Sequence, residues 1–442
     1  MFLYHLVTPL SFPEKKSVLI PCLALFLAVF FPLGAEASVQ SFSGSISLQQ
    51  DYDSNWDRRP RDEAESETSS RVQPGLTYTR STRTSDFTLT YAPSYVYNYR
   101  AREDRVDQFA SAGYGVDLSR RTRLDLDNTY RLTDDPYLYT EFVELDEGEF
   151  ELSDKRGRRR YWSNSFSGSI RREYARDSHV SLGYRNHLLR NRNDDFDDFT
   201  RHTPFAALVH HFSHRWQGEL SYQYTIADFD GREDRATHNA DGRLFHALSP
   251  MTRVYVYGGY TRTDYDEVRR DYNVYTAAVG FDRELSRVRR VSAETGYSFI
   301  RRDNSDDEAF YLKASLDNTI QRGSWRVHGE SGVDQRYYTV ADDDWLSRYW
   351  LAGVRFSYQL ARSLTGNAGA VYREDENIDD NFEGSDRERL FRGNVNLAYA
   401  FGRWYQLAVG YRYTDLDADR RTSYDNHHAY VTLSAGRELL RW

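Results

Sequence analysis

The reactive side chains of this sequence follow an alternation, not a catalytic motif. Arg185, Glu219, Glu294, Lys313, Asp317, Arg326, Glu330, Asp334, Arg355, Arg373, Arg392 and Arg412 fall on the polar phase of segments that switch between apolar and polar residues. Charges of both signs on one face imply water beside them, because an ion in a dry interior costs several kcal/mol unless it is paired. These residues are expected to line an aqueous passage and to set which ions cross it. The competing expectation is a lattice of salt bridges that closes or stiffens the same space.

Other constellations point elsewhere or nowhere. The longest connection, Asp134 to Arg158, gathers Glu141, Glu144, Asp146, Glu147, Glu149 and Glu151 ahead of Lys155 and the basic cluster Arg156 to Arg160. It would either fold inward as a constriction or stay a surface loop. Asp194-Asp195-Phe196-Asp197-Asp198 and Asp342-Asp343-Asp344 lack the ligand spacing and turn glycine of a calcium loop. Divalent bridging to lipopolysaccharide is one use for them, and plain solvation is the other. His210, His211 and His214 straddle a turn and read as turn or interface residues. There is no Gly-rich phosphate loop and no G-x-S-x-G elbow. Scattered Ser and His residues leave a hydrolase as the enzymatic alternative to the expected non-enzyme. No cofactor or metal is expected.

Composition narrows the class. Among 442 residues, Tyr numbers 35 and Phe 24, and the net charge of −9 is spread evenly, with no basic patch for nucleic acid. Mean hydropathy is −0.77, and outside the N-terminus no apolar run approaches the ~18 residues of a spanning helix. Lys15 and Lys16 precede an apolar stretch from Ser17 to Leu33 that ends in Ala35-Glu36-Ala37. This is the pattern of a secretory signal, with cleavage expected after Ala37. The one cysteine, Cys22, lies inside that leader, so the mature chain would have no thiol for catalysis, zinc or disulfides.

The elements that must position the charges are strands. Phe391, Gly393, Val395, Leu397, Tyr399 and Phe401 alternate with Arg392, Asn394, Asn396, Ala398 and Ala400; Gly402-Arg403 reads as a tight turn. Tyr405, Leu407, Val409, Tyr411 and Tyr413 then alternate with Gln406, Ala408, Gly410, Arg412 and Thr414. Period two means β-strand with one apolar and one wet face. Aromatics gather at strand ends while Val, Leu, Ala and Gly hold the middle, as two interfacial girdles around a hydrocarbon band would require.

Connections alternate between short (such as Arg120-Arg121, Ser249-Pro250 and Arg322-Gly323) and long (such as Ser54 to Glu67 and Asp375 to Asp386). The expected fold is all-β: a transmembrane up-and-down antiparallel barrel over 38–442, with about 20 strands, or 18 if a pair near the N-terminus merges. Strands of 10 to 14 residues are expected from the alternation. They exceed the ~5–6 of soluble sheets and suit the ~9–11 of tilted membrane strands. Thr203 to Phe212 reads less cleanly, and the last strand changes phase near Glu438, which predicts a bulge or a shifted register.

From Ser38 to Trp442 the chain resembles the outer-membrane β-barrel porins, including those that accompany capsular or exopolysaccharide export. Phe42-Ser43-Gly44-Ser45-Ile46-Ser47-Leu48 after the leader, the Asp/Arg-rich connections and the aromatic C-terminus carry the resemblance. It implies a Gram-negative outer-membrane protein passing ions, sugars or a polymer, and it brings no catalytic residue. The expected partners are outer-membrane lipid, lipopolysaccharide and the barrel-assembly machinery, which would read the strand ending in Trp442. A polysaccharide-export or electron-conduit partner is the further expectation. The alternative role is a scaffold that sheathes or anchors a partner such as a multihaem cytochrome.

Overall fold

The structure, a computed structural model, describes residues 38–134, 160–192, 198–230, 233–266, 271–302, 306–335, 346–378, 387–419 and 422–442, without the side chains of 334–335. The leader, the connection from 135 to 159 and the clusters 194–197 and 342–344 lie outside the described residues.

The first strands are β1 (Val39–Asp53), β2 (Glu67–Ser81), β3 (Ser85–Tyr91), β4 (Ser94–Asn98), β5 (Glu103–Ser119) and β6 (Thr122–Thr133). Next come β7 (Tyr161–Ala175), β8 (Ser178–Asn191), β9 (Asp198–His211), β10 (Trp216–Asp230), β11 (Arg235–Ser249), β12 (Thr252–Tyr265) and β13 (Tyr272–Ser286). The last are β14 (Arg289–Arg302), β15 (Asp306–Ile320), β16 (Gly323–Gln335), β17 (Leu346–Ala361), β18 (Leu364–Asn377), β19 (Arg387–Phe401), β20 (Tyr405–Ala418) and β21 (Tyr424–Arg441). Neighbours in sequence pair antiparallel, except β3 and β4, and β1 pairs with β21, so the sheet closes on itself. Closure leaves no row of unsatisfied backbone groups, which lipid would not tolerate.

β3 and β4 are two halves of one strand. Both pair with β2 and with β5. The register Leu76↔Tyr91 and Val72↔Tyr95 sets Pro74 opposite Pro93. Neither proline has an N–H to donate, so the ladder lapses at that level while the register continues. Counting the halves as one gives the 20-stranded barrel. Pro204 has the same effect in β9: the pairing with β10 skips from Phe205 to His202, which explains why the sequence of this strand reads poorly.

Strands run longer than their alternation. β20 continues past Thr414 to Ala418, and β5 and β21 reach 17 and 18 residues. Backbone pairing persists beyond the apolar band, toward the long connections, where Asp415 and Asp417 replace outward apolar residues. Arg120-Arg121, Ser249-Pro250 and Arg322-Gly323 lie at the end that also holds both strand termini, where Gln40 and Trp442 exchange backbone hydrogen bonds of 2.8 and 3.0 Å. Gly402 takes the left-handed φ of 66° in the predicted Gly402-Arg403 turn. Near the C-terminus the register jumps from Phe42↔Leu440 to Ser43↔Glu438. The phase change is therefore a bulge at Leu439.

The two faces differ in kind. Leu220, Val279 and Val395 are 62%, 59% and 52% exposed on one face, while the other carries Glu294, Arg373 and Arg392 at 3%, 5% and 6%. In a closed barrel the first face is the outer one, with an apolar band available to hydrocarbon.

Candidate functional site

Cross-strand partners in a sheet point to the same side, so the register traces the inner wall row by row. One row starts at the short-turn end and runs Glu284, Arg290, Asp317, Arg326, Arg355. It continues through Gly369, Asn394, Arg412, His428, Asp53 and Glu67, at the long-connection end. Strand tilt and shear make a lateral row climb as it goes round a barrel. A polar and charged track, interrupted at Gly369, thus winds along the interior from one mouth to the other.

Two inward steps further from the short turns, another row holds Gly280, Glu294, Lys313, Glu330, Leu351, Arg373 and Leu390. Lys313 stands between two carboxylates. Asp317 and Arg326 form an ion pair, and Arg373 holds Asp375 at 2.9 Å while stacking 4.6 Å from the centroid of Tyr349. Arg392 and Arg412 face inward on β19 and β20, opposite Thr414 and His428. Asp334 shares their phase through its pairing with Ser347, and its side chain lies outside those described. Arg185 and Glu219 are inward too, but set apart on β8 and β10. Arg185 donates to Gln223 at 3.1 Å, and Glu219 accepts from Gln217 at 2.8 Å.

A tyrosine-rich cluster escaped the sequence reading. Tyr311 donates to Glu294 at 2.5 Å, and Tyr257 donates to Asp241 at 2.6 Å. Arg243 bonds Glu294 at 3.4 Å and covers the Tyr257 ring at 4.6 Å. The rings of Tyr257 and Tyr311 stack at 5.8 Å. Tyr255 fills the space a side chain at Gly280 would occupy. The missed signal was inward aromatics: Tyr255, Tyr257 and Tyr311 sit on the wet phase, where apolar patterning counts them as outward. A second missed group is Arg123, 2.8 to 3.4 Å from Asp125, Asp86 and Asp117 near the short-turn mouth.

The interior is densest toward the long connections. Inward apolar clusters lie there: Tyr161, Leu189, Phe199, Ala227 and Phe229; Tyr272, Val274, Ile300 and Leu346; Leu390, Leu416 and Tyr424. His210 faces outward, its Nδ1 2.8 Å from the Tyr174 hydroxyl, an interfacial position. Ser165 Oγ lies 3.1 Å from His187 Nδ1; the cations Arg131 and Arg201 neighbour that imidazole, and among the described residues no carboxylate completes the pair.

Residues 217–437 match the family described as putative beta-barrel porin 2. No curated protein matches the sequence. The fold is similar to that of the siderophore receptor PirA from Pseudomonas aeruginosa, at 7% identity over 90% of this chain and 80% of that one, with a TM-score of 0.52. It is also similar to a variant of the ferric enterobactin receptor PfeA of the same organism in complex with enterobactin, at 10% identity, 91% and 82% coverage and a TM-score of 0.52. OccK5 of Pseudomonas aeruginosa aligns at 10% identity over 90% and 98% of the two chains, with a TM-score of 0.46. At such identities these likenesses concern the fold alone.

Proposed function

The chain belongs to the putative beta-barrel porin 2 family, and from that premise we propose that it is a Gram-negative outer-membrane channel whose charged interior passes ions, small solutes or an exported polysaccharide. The observation that carries the reading is the track from Glu284 to Glu67, which keeps ionic or hydrogen-bonding side chains along the wall at every position but Gly369. A permeating ion that loses part of its hydration shell meets a substitute partner at each step. Arg185, Glu219, Glu294, Lys313, Asp317, Arg326, Glu330, Asp334, Arg355, Arg373, Arg392 and Arg412 line the passage in this reading. The test is reconstitution into planar bilayers under a salt gradient. Discrete conductance steps are expected, with the reversal potential moving toward cation preference in Arg355→Glu and Arg412→Glu. A folded, heat-modifiable barrel that never conducts overturns the reading.

A further inference from the structure

We propose that the rim of short turns, at the end of the barrel that holds the strand termini, binds anionic phospholipid through its arginines. The inference concerns the rim and stands whether or not the barrel conducts. At that end alternate connections, from β2–β3 and β5–β6 round to β19–β20, run two to four residues each. Eight of these nine turns hold arginine, nine in all, against a single carboxylate, Asp177. The whole chain carries a net charge of −9, so the rim departs from it in sign. Six turns repeat one pattern of an apolar residue, one intervening residue and arginine. They are Leu118-Ser119-Arg120, Tyr174-Ala175-Arg176, Leu285-Ser286-Arg287, Ile320-Gln321-Arg322, Leu360-Ala361-Arg362 and Phe401-Gly402-Arg403. The apolar member continues the outward phase of its strand and is exposed each time.

These guanidinium groups are accessible. Among the described residues Arg120, Arg121, Arg287, Arg322 and Arg362 are exposed and form no side-chain ion pair or hydrogen bond. Arg176 lies 3.7 Å from the exposed Asp177, and Arg403 lies 5.0 Å from the centroid of Trp404. Outer-face arginines at the opposite end have carboxylate partners: Arg262 with Asp264 at 2.8 Å, Arg387 with Glu376 at 3.1 Å, and Arg389 with Glu374 at 3.8 Å. Depth selects the ligand. Two residues of strand span roughly 7 Å, about the thickness of the headgroup layer on each side of the hydrocarbon. An apolar side chain at the hydrocarbon edge therefore sets the arginine two residues later among headgroups. Turns of two to four residues do not project far past that layer, as contact with a periplasmic protein or polymer would need. Short turns of such barrels face the periplasm, where the adjoining leaflet is phospholipid. A guanidinium pairs with phosphate through two parallel bonds, and basic side chains near a membrane surface draw anionic lipid. Neighbouring turns stand two strand spacings apart, roughly 10 Å, so each can hold its own headgroup.

The experiment reconstitutes the purified protein into phosphatidylcholine vesicles with a trace of spin-labelled phosphatidylglycerol or spin-labelled phosphatidylcholine. Electron paramagnetic resonance then reads the fraction of label immobilised against the barrel. At low salt phosphatidylglycerol is expected to be favoured about fivefold, and at about 1 M salt the two lipids are expected to associate equally. The variant Arg120→Gln/Arg121→Gln/Arg287→Gln/Arg322→Gln/Arg362→Gln is expected to lose about half of that preference, in proportion to the rim charge removed. Arg61→Gln/Arg262→Gln/Arg301→Gln/Arg387→Gln/Arg389→Gln makes the same change in net charge at the other end and is expected to keep the preference. Equal association of both lipids with the wild type, a preference that survives high salt, or equal losses in the two variants overturns the proposal. Binding to isolated peptidoglycan without a phosphatidylglycerol preference assigns the rim to that polymer and overturns it as well. Should the first variant lose the gel shift of a folded barrel, the two wild-type salt conditions decide.

Discussion

Leu439 is the extra residue in the strand that closes the barrel, and its Cδ1 methyl stands 3.0 Å from where a Cβ on Gly44 would lie. The closing seam between β1 and β21 is therefore packed around an absent side chain. Gly44→Val is expected to overpack it and cost about 1–3 kcal/mol, read as a lower temperature for loss of the compact gel band. Gly258 on β12, also outward, has no atom within 4 Å of such a Cβ. Gly258→Val is expected to leave that temperature unchanged or raise it, since valine suits strands better than glycine. Equal losses in both variants would show that the seam is not specially sensitive.

Glu294 joins two cross-strand partners, the Tyr311 hydroxyl and the Arg243 guanidinium. Glu294→Ala leaves both groups without their acceptor in a crowded part of the wall. The expected cost is about 1–3 kcal/mol, measured by denaturant unfolding in detergent. Tyr311→Phe removes one bond and spares the ion pair, so it is expected to cost about 1 kcal/mol. A Glu294→Ala loss no larger than that of Tyr311→Phe would mean that Arg243 finds another partner.

Much of the barrel was legible because period two fixes strand, face and register together. Arg392 and Arg412 could be placed inward from sequence, since Val395 and Val409 beside them define the outer phase. Tyr255, Tyr257 and Tyr311 could not, because an aromatic residue suits a girdle as well as a wet wall, and only the register shows which. Strand ends were also illegible. Backbone pairing carries Asp415 and Asp417 along β20 although neither is apolar. The lateral row from Glu284 to Glu67 joins residues hundreds of positions apart, and it depends on strand shear, which no single strand's pattern encodes.

Arg61, in the connection between β1 and β2, reaches across the seam to Asp415 at 2.6 Å. The hydrogen bond and charge of Asp415 hold its guanidinium above its ordinary pKa, so it stays protonated throughout the working range. An exposed pair of this kind contributes little stability and weakens with salt. Arg61→Ala is expected to leave thermal stability unchanged while speeding proteolysis within 57–66. The wild-type rate is expected to approach that of the variant as salt rises. A salt-independent rate would show that Asn55, which bonds Arg59 and Asn426, holds the loop by itself.

Leu220 and Ser221 are adjacent on β10, and the side assigned to each follows from period two. Leu220 pairs with Leu208 and Gly242 on the apolar outer face; Ser221 pairs with Ala207 and Asp241 on the wet one. An arginine facing hydrocarbon costs between about 0 and 4 kcal/mol, rising with depth, whereas one facing water in the passage costs little. Leu220→Arg is therefore expected to lower folding yield into bilayers and stability against urea. Ser221→Arg is expected to fold normally and to change the reversal potential. The same chemical change one residue apart should thus separate stability from selectivity. If Ser221→Arg proved the more destabilising of the two, the inner and outer faces would have to be exchanged, and the charged track would lose its aqueous setting.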